Sequence, residues 1–319
     1  MVLSHSQRRW RSGQSHLAVN QAASAYAGSN PARRTNKKAL EMGLFRDGGR
    51  EVRTYSECSC KHGAIMVLLF AGQHLFFGGT TMNHYREEST IRTEMVEILR
   101  YMWDRGHANT TGVSISERSS NNRIVVDQSG TGFTRCRATE DDLLVIDPDC
   151  RLVEDAPNGA HRKAPVNVVI QTEYYKVNPL ARACVHCHAP YTQVFACEGK
   201  AIPPYTLQAL LMGEIPCVMS DDRVHKQEYH ERKLKLTVPT GLHDRPDVYY
   251  AMLQVAKGVV TVLEPRRTEL EKHGLAATHY QHGIFVFGRS MGKAFDNLER
   301  AEANARALLL AAAAGLRTL

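Results

Sequence analysis

No run of this 319-residue chain is apolar enough to span a bilayer. The most apolar stretch, Ala64 to Ala71, is cut by Gly72-Gln73-His74, well short of the ~20 residues that a membrane helix needs. Nothing resembles a secretory signal, so neither a membrane nor export is expected, and the expected compartment is cytoplasmic. A Gly-rich dinucleotide fingerprint is missing, and with it the case for a nucleotide site. The eight cysteines are too irregularly spaced for a disulfide framework, which fits a reducing environment. Acidic residues are missing where the chain begins: none precedes Glu41.

That last absence locates the charge. Residues 1–81 hold 11 Lys and Arg against 4 acids, a net of +7 that equals the net charge of the whole chain. Subtraction from the totals of 40 and 33 leaves 29 of each sign for residues 82–319. The larger part therefore has no electrostatic footprint for nucleic acid. Residues 1–81 are rich in Ser, Arg and Asn and show no sustained period. They are expected to be a disordered leader, or extra sequence ahead of a start at Met82, with an organelle transit peptide as the alternative.

From Met82 the pattern changes. Ile91, Met95, Ile98, Leu99 and Met102 fall at helical spacing and predict a helix to about Arg105, closed by Gly106. "GVSIS", "RIVVD" and "DLLVID" read as short strands, with "ERSSNN", "SGTG" and "DPDC" as turns. Pro165 is placed to open a second helix, with Val166, Val169, Ile170, Tyr174 and Val177 at helical spacing. "RACVHCHA" and "GIFVFG" read as strands, "YTLQALLMG" and "DVYYAMLQVAKGVVTVLE" as helices. Ser290 is the expected N-cap of a long closing helix that carries Ala294, Leu298, Ala301, Ala305 and Leu308. Helices interleaved with short strands predict an α/β layered domain over residues 82–319.

The chemistry gathers at Cys184-Val185-His186-Cys187-His188. Its C-x-x-C-H spacing reads as a haem attachment site, while His186 and His188 form an H-x-H. On a strand the two histidines share a face and Cys187 points opposite. That geometry offers two imidazoles to one ion, whereas haem attachment needs both thiols and the following histidine to converge. A zinc knuckle from Cys184, Cys187 and two histidines is a further reading, with no second C-x-x-C to support it. Histidines that merely line a core are the plainest alternative.

"ACVHCHAPYTQVFACEGKAIPP" followed by "YQHGIFVFGRSMGKAFDNLERAEANA" resembles the class II aldolase/adducin family, in which an H-x-H strand precedes an H-G-x-x-x-x-G strand and an Ala-rich helix. "NTTGVSIS", "VDQSG" and "EDDLLVID" stand in the order of that family's first strands, so the resemblance covers roughly residues 90–312. It implies a three-layer α/β/α domain with a central, mainly antiparallel sheet, and a homo-tetramer with sites near subunit interfaces. It also implies that His186, His188 and His282 hold a divalent ion, Zn²⁺ or another such as Mn²⁺, with one position open. Such an ion is a Lewis acid for a small hydroxy-carbonyl substrate. His273-Gly274 is a second His-Gly pair, set aside because no apolar strand is expected after it.

The sequence departs from the family's phosphate-reading positions. Thr111-Gly112-Val113-Ser114 and Asp127-Gln128-Ser129-Gly130 stand there, which makes Thr111, Gly112, Ser129 and Gly130 the candidate substrate contacts. Asp127 places a carboxylate where a phosphate would bind, so a non-phosphorylated substrate is expected. Asn167 occupies the position of the family's acid or base, and an amide cannot accept a proton. Asp127, Tyr191 or Tyr205 would have to substitute, or the reaction would have to be one that needs no such base. The expected function is a metal-dependent carbon–carbon lyase of aldolase type, with a decarboxylase and a non-catalytic adducin-like interaction protein as alternatives. Residues 221–236, "DDRVHKQEYHERKLKL", are expected to form an extra surface segment whose charges make a solvated face.

Overall fold

The computed structural model describes residues 45–47, 50–52, 85–108, 112–157 and 162–316. The chain divides into two units, Met1–Phe77 and Gly78–Leu319. In the first, β1 (Phe45–Asp47) and β2 (Arg50–Val52) form an antiparallel pair. The rest of the expected leader, and Met82, lie outside the described residues.

The second unit is built on eight strands: β3 (Ser114–Ser120), β4 (Arg123–Val126), β5 (Leu144–Ile146), β6 (Leu152–Glu154), β7 (Ala183–Cys187), β8 (Cys217–Val218), β9 (Leu275–His279) and β10 (Ile284–Gly288). They form one sheet in the order β6-β5-β4-β3-β7-β10-β9-β8. Every neighbouring pair is antiparallel except β8 with β9. The expected mainly antiparallel sheet is what forms.

Each strand divides its side chains between two cores, as the period of two requires. Val185 and Cys187 of β7 and Ile284 and Val286 of β10 face one core, with α1 (Glu88–Asp104) and the closing helix α8 (Met291–Ala313). Cys184 of β7 and Phe285 and Phe287 of β10 face the other, with α3 (Val168–Val177) and α7 (Pro246–Leu263). Helices cover both faces, so the domain has three layers. All five periodic residues of α1 are buried, each contributing roughly 1.5–3 kcal/mol of hydrophobic stabilisation. Ser290 caps α8 by accepting from the Lys293 backbone N–H, supplying one of the partners that a helix start otherwise lacks.

Several sequence expectations need correction. "ERSSNN" is largely strand: β3 runs to Ser120, and only Asn121 and Asn122 turn. Glu117 is tolerated inside it because its carboxylate accepts from the Met291 N–H (2.6 Å) and pairs with Arg86 (3.1 Å). The helix expected from Pro165 starts at Val168; residues 165–167 make a tight turn with Val168 N–H bonded to Pro165 O (3.0 Å) and Val169 N–H to Val166 O (3.1 Å). Val177 ends that helix facing solvent. The helices α4 (Pro190–Cys197) and α6 (Asp222–Glu231) and the strands β6, β8 and β9 were not expected. Among the described residues, no helix is long and apolar enough to cross a membrane.

Candidate metal centre

Antiparallel pairing decides where the histidines meet. Because β7 and β10 run in opposite directions, Cys187 at the end of β7 pairs with Ile284 at the start of β10. His188 follows the one and His282 precedes the other, so both stand at the same end of the sheet. His186 sits one residue inside, paired with Phe285 across the ladder, its ring stacked on that phenyl ring with centroids 4.0 Å apart and planes within 15°. Each imidazole offers a nitrogen within 4.8 Å of those of the other two.

One hydrogen bond and burial set the state of two of these rings. His186 Nδ1 donates to the Ile284 carbonyl at 2.9 Å, so its Nε2 carries the lone pair. That Nε2 and the Nε2 of His188 are buried without any hydrogen-bond partner, and orphaned buried polar atoms are rare in finished folds. Burial first, then the neighbouring imidazoles, hold His186 well below the ordinary histidine value. His188 is pushed to about 4 by burial, then by His282 and Arg135. Neutral rings with free lone pairs are what a divalent ion requires. Three imidazoles at one point, two with unsatisfied nitrogens, fit Zn²⁺ or a similar ion.

Two glycines make room for His188. Gly112 has φ +100°, and a Cβ there would lie 2.7 Å from His188 Nε2 and overlap Cε1. A Cβ at Gly283 would overlap the Cys187 carbonyl and crowd His188 Cδ2. Both are therefore needed bare.

The other readings of the C-x-x-C-H fail on the same geometry. Cys184 belongs to one core and Cys187 to the opposite one, both fully buried, so they cannot converge on a haem or a single zinc ion. The reason for setting His273 aside was wrong, since Leu275–His279 does follow as strand β9. The outcome is unchanged. His273 lies at the far end of β9, roughly 20 Å from His279 at ~3.4 Å per residue, with Nδ1 donating to the Gly274 carbonyl.

The remaining candidates are placed less uniformly. Gly112 touches the site, and Thr111 lies outside the described residues. Ser129 is tied to the fold, its Oγ donating to Ala164 O at 3.0 Å and its N–H to Lys163 O at 2.7 Å. Gly130 stands beside Thr134. Asp127 is buried, accepting from the Ile115 N–H at 2.8 Å and facing Arg135 Nε at 3.1 Å. Its acid is pushed up to about 6 by burial, against the pull of Arg135. The repulsion expected of it toward a phosphate is thus offset by a guanidinium. Asn167 is nearly buried at the start of α3, with no capping bond from its side chain. Tyr191 and Tyr205 pack against the core that holds α8, each with its backbone N–H held by an α8 side chain, Glu302 or Asn304.

Two residues at the site were not anticipated. His279 closes β9 and joins His282 through a turn in which His282 N–H bonds to His279 O at 3.0 Å. Asp222, first residue of α6, lies 3.5 Å from His279 Nε2 and 3.6 Å from His282 Nδ1. Asp222, His279 and His282 form a second group of potential ligand atoms within 4.8 Å of one another. The segment 221–236 is therefore not merely a solvated face. "THYQHG" signals this faintly, since a histidine three residues before a candidate ligand shares its turn.

Fold and site together define a mixed α/β domain with a cluster of histidines at one end of its sheet. The chain belongs to the class II aldolase and adducin family: the profile of the class II aldolase and adducin N-terminal domain matches residues 93–309. Among characterised relatives, a 3-oxo-tetronate 4-phosphate decarboxylase of Haemophilus influenzae is 28% identical over 118 residues, which is 35% of this chain and 52% of that protein. The match thus spans about half the length of that relative. A methylthioribulose-1-phosphate dehydratase of Methylococcus capsulatus is 23% identical over 69% of this chain and 93% of its own. Of solved structures, an L-fuculose 1-phosphate aldolase superposes with TM-score 0.55 at 17% identity, covering 74% of this chain and 92% of its own. YgbL of Klebsiella pneumoniae does so with TM-score 0.52 at 21% identity, covering 71% and 91%. At these identities the structural likeness is one of fold.

Proposed function

We propose that this protein is a metal-dependent carbon–carbon lyase acting on a small hydroxy-carbonyl compound, with the ion held by His186, His188 and His282. The observation that carries this reading is the pair of buried, partnerless Nε2 atoms on His186 and His188 facing a third imidazole. A non-catalytic adducin-like role would give no reason to keep three imidazoles together, two of them desolvated. When bound, the ion supplies Lewis-acid stabilisation of negative charge on a substrate oxygen.

The chain's own residues do the rest. Ile284 O fixes the His186 tautomer, Phe285 holds that ring in plane, and Gly112 and Gly283 leave His188 its only space. Burial keeps His186 and His188 neutral. Asn167 favours a second reading, decarboxylation of a hydroxy or oxo acid, because loss of CO₂ needs no base at that position. The relatives' names span decarboxylase, dehydratase and aldolase, which fits one ion site serving several bond cleavages. The arms of Leu207, Leu210 and Leu211 exposed on α5 (Leu207–Met212) fit the tetramer carried into this reading.

Metal analysis of the purified full chain tests it. About one divalent ion per chain is expected, with His186→Ala losing it. Release of aldehyde against release of CO₂ from candidate substrates separates the two reactions. Protein that takes up no divalent ion with all three histidines intact would end the lyase reading.

A further inference from the structure

The helix α6 is an odd element by ordinary packing logic. It buries none of its ten residues, yet its first residue reaches the ion site. Asp222 Oδ2 lies 3.6 Å from His282 Nδ1, and Oδ1 lies 3.5 Å from His279 Nε2. Oδ1 is itself buried without a hydrogen-bond partner. A half-exposed helix that turns a carboxylate inward to an unsatisfied position contributes something other than hydrophobic burial.

His282 explains what that is. Its ring has two nitrogens, and one of them, Nδ1, is turned toward Asp222. The nitrogen left for the ion is Nε2, the same one that His186 and His188 present. A neutral imidazole that ligates through Nε2 must carry its proton on Nδ1, and that N–H then points at Asp222. His186 follows the same plan, with a backbone carbonyl as its acceptor. The overlap of the two histidine groups cannot mean two ions, because a neutral His282 has one lone pair to give. His279 belongs to the supporting layer: its Nε2 donates to Ser220 O at 2.9 Å and faces Asp222 from the other side.

Resting on the metal reading above, we infer that Asp222, supplied by α6 and lying beside His279, is a positioning residue that orients His282 for the ion by accepting its Nδ1–H. Carboxylates in this relation to a ligating histidine fix the ring and raise its basicity, and their loss costs about 10–100-fold in metal affinity. The segment 221–236 is thereby a strap whose folding completes the third ligand.

The test uses the full chain, stripped of metal by a chelator and titrated with Zn²⁺ against a chromophoric competitor. Asp222→Ala is expected to bind about 10–100-fold more weakly while still saturating at one ion per chain. Asp222→Asn keeps an oxygen for the N–H and is expected to recover part of the loss. The metal-free melting temperature of the Asn variant should match the parent, while its metal-induced rise shrinks, which separates orientation from folding. Equal Zn²⁺ affinity in the parent and Asp222→Ala overturns the inference and leaves the three-histidine site standing. So does a parent that binds two ions and loses one in His279→Ala, since Asp222 and His279 would then hold an ion of their own. A parent that binds no Zn²⁺ removes the metal reading itself, and the inference with it.

Discussion

Gly112→Ala should weaken the proposed metal binding without replacing a ligand. Two costs add at this position. With φ +100°, an alanine sits in a backbone region that costs an L-residue about 1–2 kcal/mol. Its Cβ would then press on the His188 ring, 2.7 Å from Nε2 and 3.0 Å from Nδ1, closer still to Cε1. The three nearest atoms all belong to that ring, so the ring is what moves. A ligand ring displaced by several tenths of an ångström loses alignment with the ion, and a tenfold loss of affinity corresponds to about 1.4 kcal/mol. The expected outcome is a metal-free protein destabilised by about 1–3 kcal/mol in urea denaturation, with Zn²⁺ affinity at least tenfold lower by competition titration. Gly130→Ala is the control: a Cβ there meets only Thr134 at 3.5 Å, an ordinary contact. If Gly112→Ala bound Zn²⁺ as tightly as the parent, His188 would not be confined as described, and its place among the ligands would have to be given up.

Glu117 gives a pH dependence that can be checked away from the metal. Burial raises its pKa to about 7 from an ordinary 4.5, against the opposing pull of Arg86. The folded state therefore holds the proton more tightly than the unfolded one, and stability is lost as pH rises from about 4.5 through about 7. A Glu117→Gln variant should lose less stability than the parent between pH 5 and pH 8, by up to about 3 kcal/mol; identical slopes would contradict the assignment. Asn167→Asp should raise aldol cleavage severalfold if a missing base limits that reaction, measured as aldehyde release at saturating metal. No gain, with CO₂ release intact, would favour decarboxylation.

How much of this was legible beforehand depends on what each residue type can signal. The long helices α1 and α8 were readable because their buried residues recur at helical spacing, a one-dimensional trace of a one-sided environment. The meeting of His186, His188 and His282 was readable because they stand at or beside strand ends, where a short motif and an antiparallel register carry the geometry. Strand β9 was not: "LAATH" is short and only modestly β-forming, and its burial on both faces erases the alternation that would mark it. Asp222 was hidden for a different reason. A carboxylate in "DDRVHKQEYHERKLKL" looks the same whether it faces water or an imidazole, because composition records charge and not direction. Glu117 was misplaced in a turn for the same reason, its two partners being 31 and 174 residues away.

The hairpin that joins β9 to β10 has a consequence for how the proposed ion would arrive. His279 and His282 are fixed by one turn, and His186 and His188 by the end of the β7 ladder and the residue after it, so the sheet itself brings the imidazoles of His186, His188 and His282 together. The conformational entropy of bringing the ligands together has already been spent in folding the sheet. On the proposed metal reading, the ion is therefore added to a finished scaffold, unlike the small zinc modules that collapse around their ion. Chelation should empty this protein without unfolding it.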